Sequence, residues 1–245
     1  MLSKEKIKQM RKLHDKKWRT ESGLFLVEGR KMILELLASD WKEHIEELYV
    51  SEKLFEEIQK WVITDTETIS KISTLENNSD GVAVMKQKQL LSLPKGQNLR
   101  VSYTAWTLVL DGIRDPGNMG TILRTASWFG VKNIVCSQDS VELYNPKVVS
   151  ATMWALFHLQ ISSQNLEDFY EKNTLPVYAA ELWGTNIGEI AFPISGVLVM
   201  GSESHGISEL SRKYMTQGIL IPKIGYGESL NVGIATGILL SHIVK

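Results

Sequence analysis

Leu108-Val109-Leu110-Asp111-Gly112-Ile113-Arg114-Asp115-Pro116-Gly117-Asn118-Met119-Gly120-Thr121-Ile122-Leu123-Arg124-Thr125-Ala126 reads as a strand, a tight loop and a helix, in that order. The apolar run 108–110 shows no polar alternation, which fits a strand covered on both faces. Asp115-Pro116-Gly117-Asn118 is turn chemistry: Pro presets one φ, Gly frees another, and Asp or Asn side chains bond the nearby backbone. Asn118 is therefore expected to cap a helix over 119–129, with Arg124 on its second turn. A guanidinium at that place suits a phosphate or a carboxylate.

The same pattern recurs along the chain. Ile134-Val135, Val177–Ala180, Val197–Met200 and Gly218–Ile221 are further short apolar runs separated by helix-like stretches. Together they predict an α/β unit with a mainly parallel sheet, and in such sheets ligands gather where strands run into loops. Two more strand-end loops stand out. The first is Gly201-Ser202-Glu203-Ser204-His205-Gly206, whose small residues allow close backbone approach to a ligand. Its Ser204-His205 pair invites a hydrolase reading, but a nucleophile elbow needs Gly-x-Ser-x-Gly and the residue two after Gly201 is Glu203. The second is Ile221-Pro222-Lys223-Ile224-Gly225-Tyr226-Gly227-Glu228-Ser229-Leu230-Asn231, where Ser229 or Asn231 is placed to cap a last helix. Gly233 and Gly237, one turn apart in that helix, predict close packing of a second helix.

The N-terminal part is of a different make. A basic stretch with Ile7, Met10 and Leu13 at helical spacing precedes Leu24–Val27, a helix over 29–39, strands at 48–50 and 81–85, and a helix over 52–61. Leu93-Pro94-Lys95-Gly96-Gln97-Asn98 supplies the linker chemistry. The expected organisation is a small α/β domain over 1–93, a linker over 94–102 and a larger α/β domain over 103–245.

Composition narrows the functional classes. One cysteine, Cys136, excludes a disulfide framework and a Cys-rich zinc site. The five histidines lack ligand spacing, so no metal is expected. Gly-x-Gly-x-x-Gly after a strand and Gly-x-x-x-x-Gly-Lys-Ser/Thr are both missing, which removes the usual dinucleotide and P-loop sites. No apolar run approaches the ~18–20 residues that cross a bilayer, and the N-terminus has no apolar signal-peptide segment. A soluble, cytoplasmic protein is expected. The 27 Lys and Arg against 28 Asp and Glu give a net charge of −1. That balance is local cancellation: residues 1–20 hold eight cations against Glu5 and Asp15, whereas 32–80 hold four lysines against twelve carboxylates. The basic stretch reads either as a nucleic-acid contact or as a solvated amphipathic helix.

In order and spacing, the three loops resemble the SpoU/TrmH family of RNA 2′-O-ribose methyltransferases. Asn118-Met119-Gly120 with Arg124 is similar to its Asn-x-Gly-x-x-x-Arg, Gly201-Ser202-Glu203 with Gly206 to its Gly-x-Glu-x-x-Gly, and Ile221-Pro222 with Ser229-Leu230-Asn231-Val232 to its Ile-Pro…Ser-Leu-Asn-Val. Arg11-Lys12-Leu13, Arg19 and Phe25-Leu26-Val27-Glu28-Gly29 are also similar to the substrate-binding domain that precedes many members acting on ribosomal RNA. The resemblance implies a deep trefoil knot in the C-terminal domain, S-adenosylmethionine as cofactor, a homodimer and an RNA substrate, ribosomal RNA first. It implies cofactor contacts from Gly201, Ile221 and Leu230, and a catalytic surround of Asn118, Arg124, Glu203, Ser229 and Asn231. It makes Arg124 a base toward the 2′-hydroxyl, but a guanidinium normally stays charged, so phosphate binding and oxyanion stabilisation suit it better. Ser150 and Trp154 depart from the family pattern, which has Arg and a small residue there; Trp154 is expected to fill core or to stack on a base. Two other readings remain. A tRNA ribose methyltransferase is disfavoured by the sizeable N-terminal domain. A non-catalytic RNA-binding or assembly protein is disfavoured by the presence of all three motifs.

Overall fold

The computed structural model describes residues 2–58, 61–88 and 106–244; the linker expected at 94–102 lies outside them. The basic N-terminal stretch forms two helices, α1 (Lys4–Lys12) and α2 (Lys16–Ser22). Ser3 caps the first and Asp15 the second, each side chain accepting from a backbone N–H of the new turn. Gly23, at φ 66°, ends α2 in the left-handed conformation that favours glycine. There follow β1 (Leu24–Glu28), α3 (Arg30–Ala38), β2 (Ile45–Val50), α4 (Glu52–Ile58), β3 (Val62–Ile63), α5 (Thr66–Ile72) and β4 (Gly81–Lys86). The four strands make one sheet in the order β1-β4-β2-β3, antiparallel except for β2 with β3. Met10 and Leu13 of the basic stretch are buried with Leu26, Tyr49, Ile69, Ile72, Val82 and Val84, which fastens the N-terminus to the sheet. Glu28, also buried, accepts hydrogen bonds from Ser73 Oγ and from the backbone N–H and hydroxyl of Thr74, tying the end of β1 to the loop after α5.

The chain continues as β5 (Thr107–Asp111), α6 (Pro116–Trp128) and β6 (Asn133–Ser137). Glu142–Phe157, within the range expected for the second domain, packs with the first unit instead. It carries α7 (Pro146–Thr152), capped by Asn145. Tyr144 lies against Phe25 with 4.5 Å between ring centroids, and Phe157 lies against Trp41 at 5.6 Å. Trp154 is half-buried and carries the Lys31 ammonium 4.8 Å from its ring centroid.

The second unit resumes with β7 (Gln160–Gln164), α8 (Leu166–Lys172), β8 (Val177–Asn186), β9 (Val197–Gly201), α9 (Glu209–Tyr214), β10 (Gln217–Leu220) and α10 (Val232–Ile243). Its six strands run in the order β10-β8-β9-β5-β6-β7, and every neighbouring pair is parallel. The five apolar runs are strands, as the lack of alternation predicts. The sixth, β7, reads Gln-Ile-Ser-Ser-Gln and offers no apolar run; it sits at the sheet edge beside β6. Gly233 and Gly237 of α10 face α6. A Cβ at Gly233 would come within 2.9 Å of Thr121 Cγ2, and one at Gly237 within 3.6 Å of Thr125 Cγ2. The expected close helix pair is therefore α10 on α6.

Candidate active site

Parallel strands bring their carboxyl ends to one edge. The register pairs Asp111 with Gly201, so the loops after β5 and β9 leave the sheet level with each other. Asp111 is buried, and its Oδ2 accepts from the Ser208 N–H at 2.8 Å and the Ser211 hydroxyl at 2.6 Å. It thereby pins the start of α9, and with it the far end of the 201–207 loop. On its other side the first loop is held by β6. The Ser137 hydroxyl accepts from the Gly112 N–H at 2.8 Å and donates to Asp139 at 2.7 Å, while Ser140 Oγ accepts from the Ile113 N–H at 3.2 Å. That Ser137 hydroxyl, with the Arg114 guanidinium beside it, holds the Asp139 carboxyl below its usual range.

One sequence expectation is corrected here. Asp115, not Asn118, caps α6: its side chain accepts from the Asn118 N–H and Pro116 takes the first helical position. The helix starts three residues earlier than expected, which moves Arg124 to its third turn, exposed. The earlier start also frees the Asn118 side chain for a different task. Asn118 Nδ2 donates to Glu203 Oε1, and its Oδ1 accepts from Asn231 Nδ2 at 2.8 Å. Asn231 does cap the last helix, its Oδ1 accepting from the N–H groups of Gly233 at 2.9 Å and Ile234 at 3.3 Å.

The direction of every bond in this chain is forced. The first turn of α10 claims Asn231 Oδ1, which leaves its amide NH₂ to donate. Asn118 must accept that bond through Oδ1 and so turns its own NH₂ to the Glu203 carboxylate. Three loops separated by 85 and 113 residues are thus joined by one polarised series of hydrogen bonds, running from a helix N-terminus to a carboxylate.

The other expected site residues fall around this junction in different ways. Gly201 is buried at the end of β9, and a Cβ there would lie 2.1 Å from the Gly206 carbonyl carbon, so the loop's backbone closes directly on the strand end. Ser202 and Gly206 exchange backbone hydrogen bonds of 2.9 Å across that hairpin. Ile221 is half-buried just beyond β10, while Ser229 and Leu230 are exposed in the loop before α10. Among the described residues, no hydrogen bond joins Ser229 to the Asn118 series. The Ser204 and His205 side chains meet at the surface, with 2.7 Å between Oγ and Nδ1, and the His205 N–H donates to Ser202 Oγ at 3.2 Å. Cys136 is buried, and burial pushes its thiol up to about 12, so it is inert as a nucleophile. Among the described residues no cluster of His, Cys, Asp or Glu could hold a metal ion, and no helix is long and apolar enough to cross a membrane. The sequence reading missed Asp111, Ser137, Asp139, Ser140 and Ser208. A cluster of Ser and Asp directly after β6 was the available signal.

With this geometry in place, the likeness to known proteins is specific. The profile of the SpoU rRNA Methylase family matches residues 105–241, which include all three loops. The chain is a member of the SpoU rRNA methylase family. Residues 4–83 match the MRM3-like substrate binding domain, so both units have counterparts. The 23S rRNA (guanosine(2553)-2′-O)-methyltransferase RlmP of Bacillus subtilis is 28% identical over 98% of this chain and 96% of its own. The AdoMet-bound rRNA methyltransferase of Sinorhizobium meliloti is 29% identical over 99% of this chain and 95% of its own, with a TM-score of 0.85. A protein of Porphyromonas gingivalis assigned to the TrmH family of RNA methyltransferases is 34% identical, covering 99% and 98% of the two chains, with a TM-score of 0.82.

Proposed function

We propose that this SpoU methylase transfers a methyl group from S-adenosylmethionine to a ribose 2′-hydroxyl of ribosomal RNA, in the cytoplasm. The observation that carries the reading is the Glu203–Asn118–Asn231 series, which fixes three loops at the carboxyl edge of a parallel sheet in one arrangement. The residues present fit the cofactor. Gly201 ends β9 under the turn back to Gly206, Ile221 is half-buried just beyond β10, and Leu230 is exposed before α10, so each stands in a loop that follows a strand. These three residues would hold S-adenosylmethionine, which supplies an electrophilic methyl on sulfur.

The protein's own task is then positioning. With the cofactor bound, the chain's residues would orient the ribose 2′-hydroxyl toward that methyl, and the hydroxyl proton would pass to solvent. Holding both reactants in line is worth up to about 7–11 kcal/mol of the barrier in well-oriented cases. Arg124, on the exposed face of α6, binds the target phosphate and offsets negative charge growing on the ribose oxygen. Glu203 accepts from Asn118 through Oε1, and we assign it the shaping of its loop. Ser229 is exposed in the loop before α10, where we assign it a contact to the substrate.

We assign the active form as a homodimer. Trp128 on α6 is 81% exposed, and Ile234 and Ile238 on α10 are 57% and 36% exposed. An apolar stripe across two packed helices is what a self-complementary interface buries. Sedimentation should give twice the chain mass; a monomer at micromolar concentration would refute the assignment.

The direct test is transfer of labelled methyl from S-adenosylmethionine to a 23S rRNA transcript, with the product read as a 2′-O-methylated nucleotide. Arg124→Lys in that assay should lower kcat by about 10²-fold, as losing one oriented donor of growing charge typically does, with S-adenosylmethionine affinity unchanged. Near-full turnover by Arg124→Lys would rule out a guanidinium role.

A further inference from the structure

Behind the loop that carries Glu203, a file of polar side chains runs into the core of the second unit. Asp111, Ser211 and Tyr170 are 7%, 0% and 3% exposed. The Tyr170 ring lies in an apolar cluster with Val109, Val135, Phe169 and Val199, and it stacks on Tyr214 with 5.2 Å between centroids. Filling that space needs a ring and no hydroxyl, because a buried hydroxyl is costly unless it is bonded. This one is bonded. The Tyr170 hydroxyl lies 2.9 Å from Ser211 Oγ, which lies 2.6 Å from Asp111 Oδ2. Two hydrogen bonds, across 41 and 100 residues of chain, thus join α8 to α9 and α9 to the end of β5.

Their directions follow from the carboxylate, which only accepts. Ser211 gives its one hydroxyl proton to Asp111, so Tyr170 donates to Ser211. Burial, with the Asp111 charge adding to it, pushes the Tyr170 phenol up against the opposing pull of its bond to Ser211, and the donor keeps its proton. Ser208 braces the same point. Its N–H donates to Asp111 Oδ2 at 2.8 Å, its hydroxyl donates to Ser211 Oγ at 3.3 Å, and it accepts from the Ser211 N–H at 3.2 Å.

Asp111 is where this series meets the site. Its register partner Gly201 begins the loop that Ser208 ends, so one residue of β5 fixes both ends of the segment holding Glu203. From the start of α6, Asn118 presents its amide to that same Glu203. Whether the two meet depends on where Asp111 holds Ser208. We propose that Tyr170 is a positioning residue for methyl transfer, acting through Ser211 and Asp111 on the loop that carries Glu203. This rests on the methylation reading above.

The test measures kcat for methyl transfer to a 23S rRNA transcript, and hydrogen exchange in the 201–207 loop, on the whole chain. Tyr170→Phe keeps the ring and removes one donor; kcat should fall about fivefold, the scale of one lost buried hydrogen bond. Both KM values should stay within about twofold of wild type. Ser211→Ala removes the donor to Asp111 and should lower kcat about 10-fold, since small misplacements of a reacting geometry are costly. In both variants the Ser202 and Gly206 amides, which bond each other's carbonyls across the loop, should exchange faster. Phe169→Leu cuts into the same core and leaves the hydroxyls in place, so it should lower the melting temperature with kcat within about twofold of wild type. In an Asn118→Ala background, Ser211→Ala should change kcat by less than about twofold, because the contact it positions is already gone. Wild-type kcat in Tyr170→Phe and Ser211→Ala, an equal loss in Phe169→Leu, or additive losses in the double variant overturns the proposal. A wild-type chain that transfers no methyl would sink the enzyme reading, and exchange would then judge the series by itself: faster exchange in Ser211→Ala keeps it, unchanged exchange removes it.

Discussion

Replacing Asn118 with alanine is expected to lower kcat/KM for RNA methylation by about 10²–10³-fold, the range seen when one preorganised donor is lost. The fold itself should survive. Asn118 lies in the first turn of α6 and its backbone N–H, which Asp115 caps, is untouched by the change. What is lost is the link between the loops: Glu203 loses its donor and Asn231 its acceptor at the same time. Two further variants separate this cause from mere crowding. Asn118→Asp keeps size and the bond from Asn231 but sets a second anion against Glu203, so its defect should equal or exceed that of alanine. Asn231→Asp still caps α10, since a carboxylate accepts from Gly233 and Ile234 as well as an amide does. It cannot donate to Asn118, so it should lose turnover while keeping the melting temperature. Wild-type turnover in Asn231→Asp would show that the series is incidental to catalysis.

How much of this was legible in sequence differs from part to part. Continuous apolar runs report burial on both faces, and the parallel strands were found for that reason. β7 escaped because an edge strand of Gln, Ile and Ser carries no such run. α5 escaped likewise: its apolar content is Ile69 and Ile72, and the helix depends on Asp65 capping Thr68. The cap of α6 was misplaced because Asp115 and Asn118 both qualify chemically, and only the proline between them, which belongs just after a cap, decides the matter. Asn118, Glu203 and Asn231 could be named from motifs, yet their bonding order depends on which oxygen a helix terminus claims in three dimensions. No periodicity reports how loops thread one another, so the trefoil knot rests on the family resemblance. Trp154 was expected either as core or as a stacking platform; it is half-buried with a lysine over its ring, which lies between the two.

Replacing Arg19 with alanine is expected to be the most damaging change to stability, at about 3–5 kcal/mol, the cost of breaking a buried pair by removing one partner. The Arg19 side chain is 2% exposed and makes three bonds: Nε and Nη2 to the two Glu142 oxygens at 3.0 and 2.8 Å, and Nη1 to the Leu13 carbonyl at 2.8 Å. Glu142 opens the stretch 142–157, so this fork fastens to the first unit a segment distant in sequence. Without the guanidinium the carboxylate is left with no cation, the Leu13 carbonyl loses its donor, and a cavity opens beneath α2. Arg19→Lys keeps a charge but cannot fork, and should recover less than half of the loss. The double variant Arg19→Met, Glu142→Met removes both charges and refills the space; it should be more stable than Arg19→Ala, because no ion is then stranded. Urea unfolding of the four proteins gives these differences directly. Should Arg19→Ala unfold within 1 kcal/mol of wild type, the Glu142 fork is not what holds the 142–157 segment.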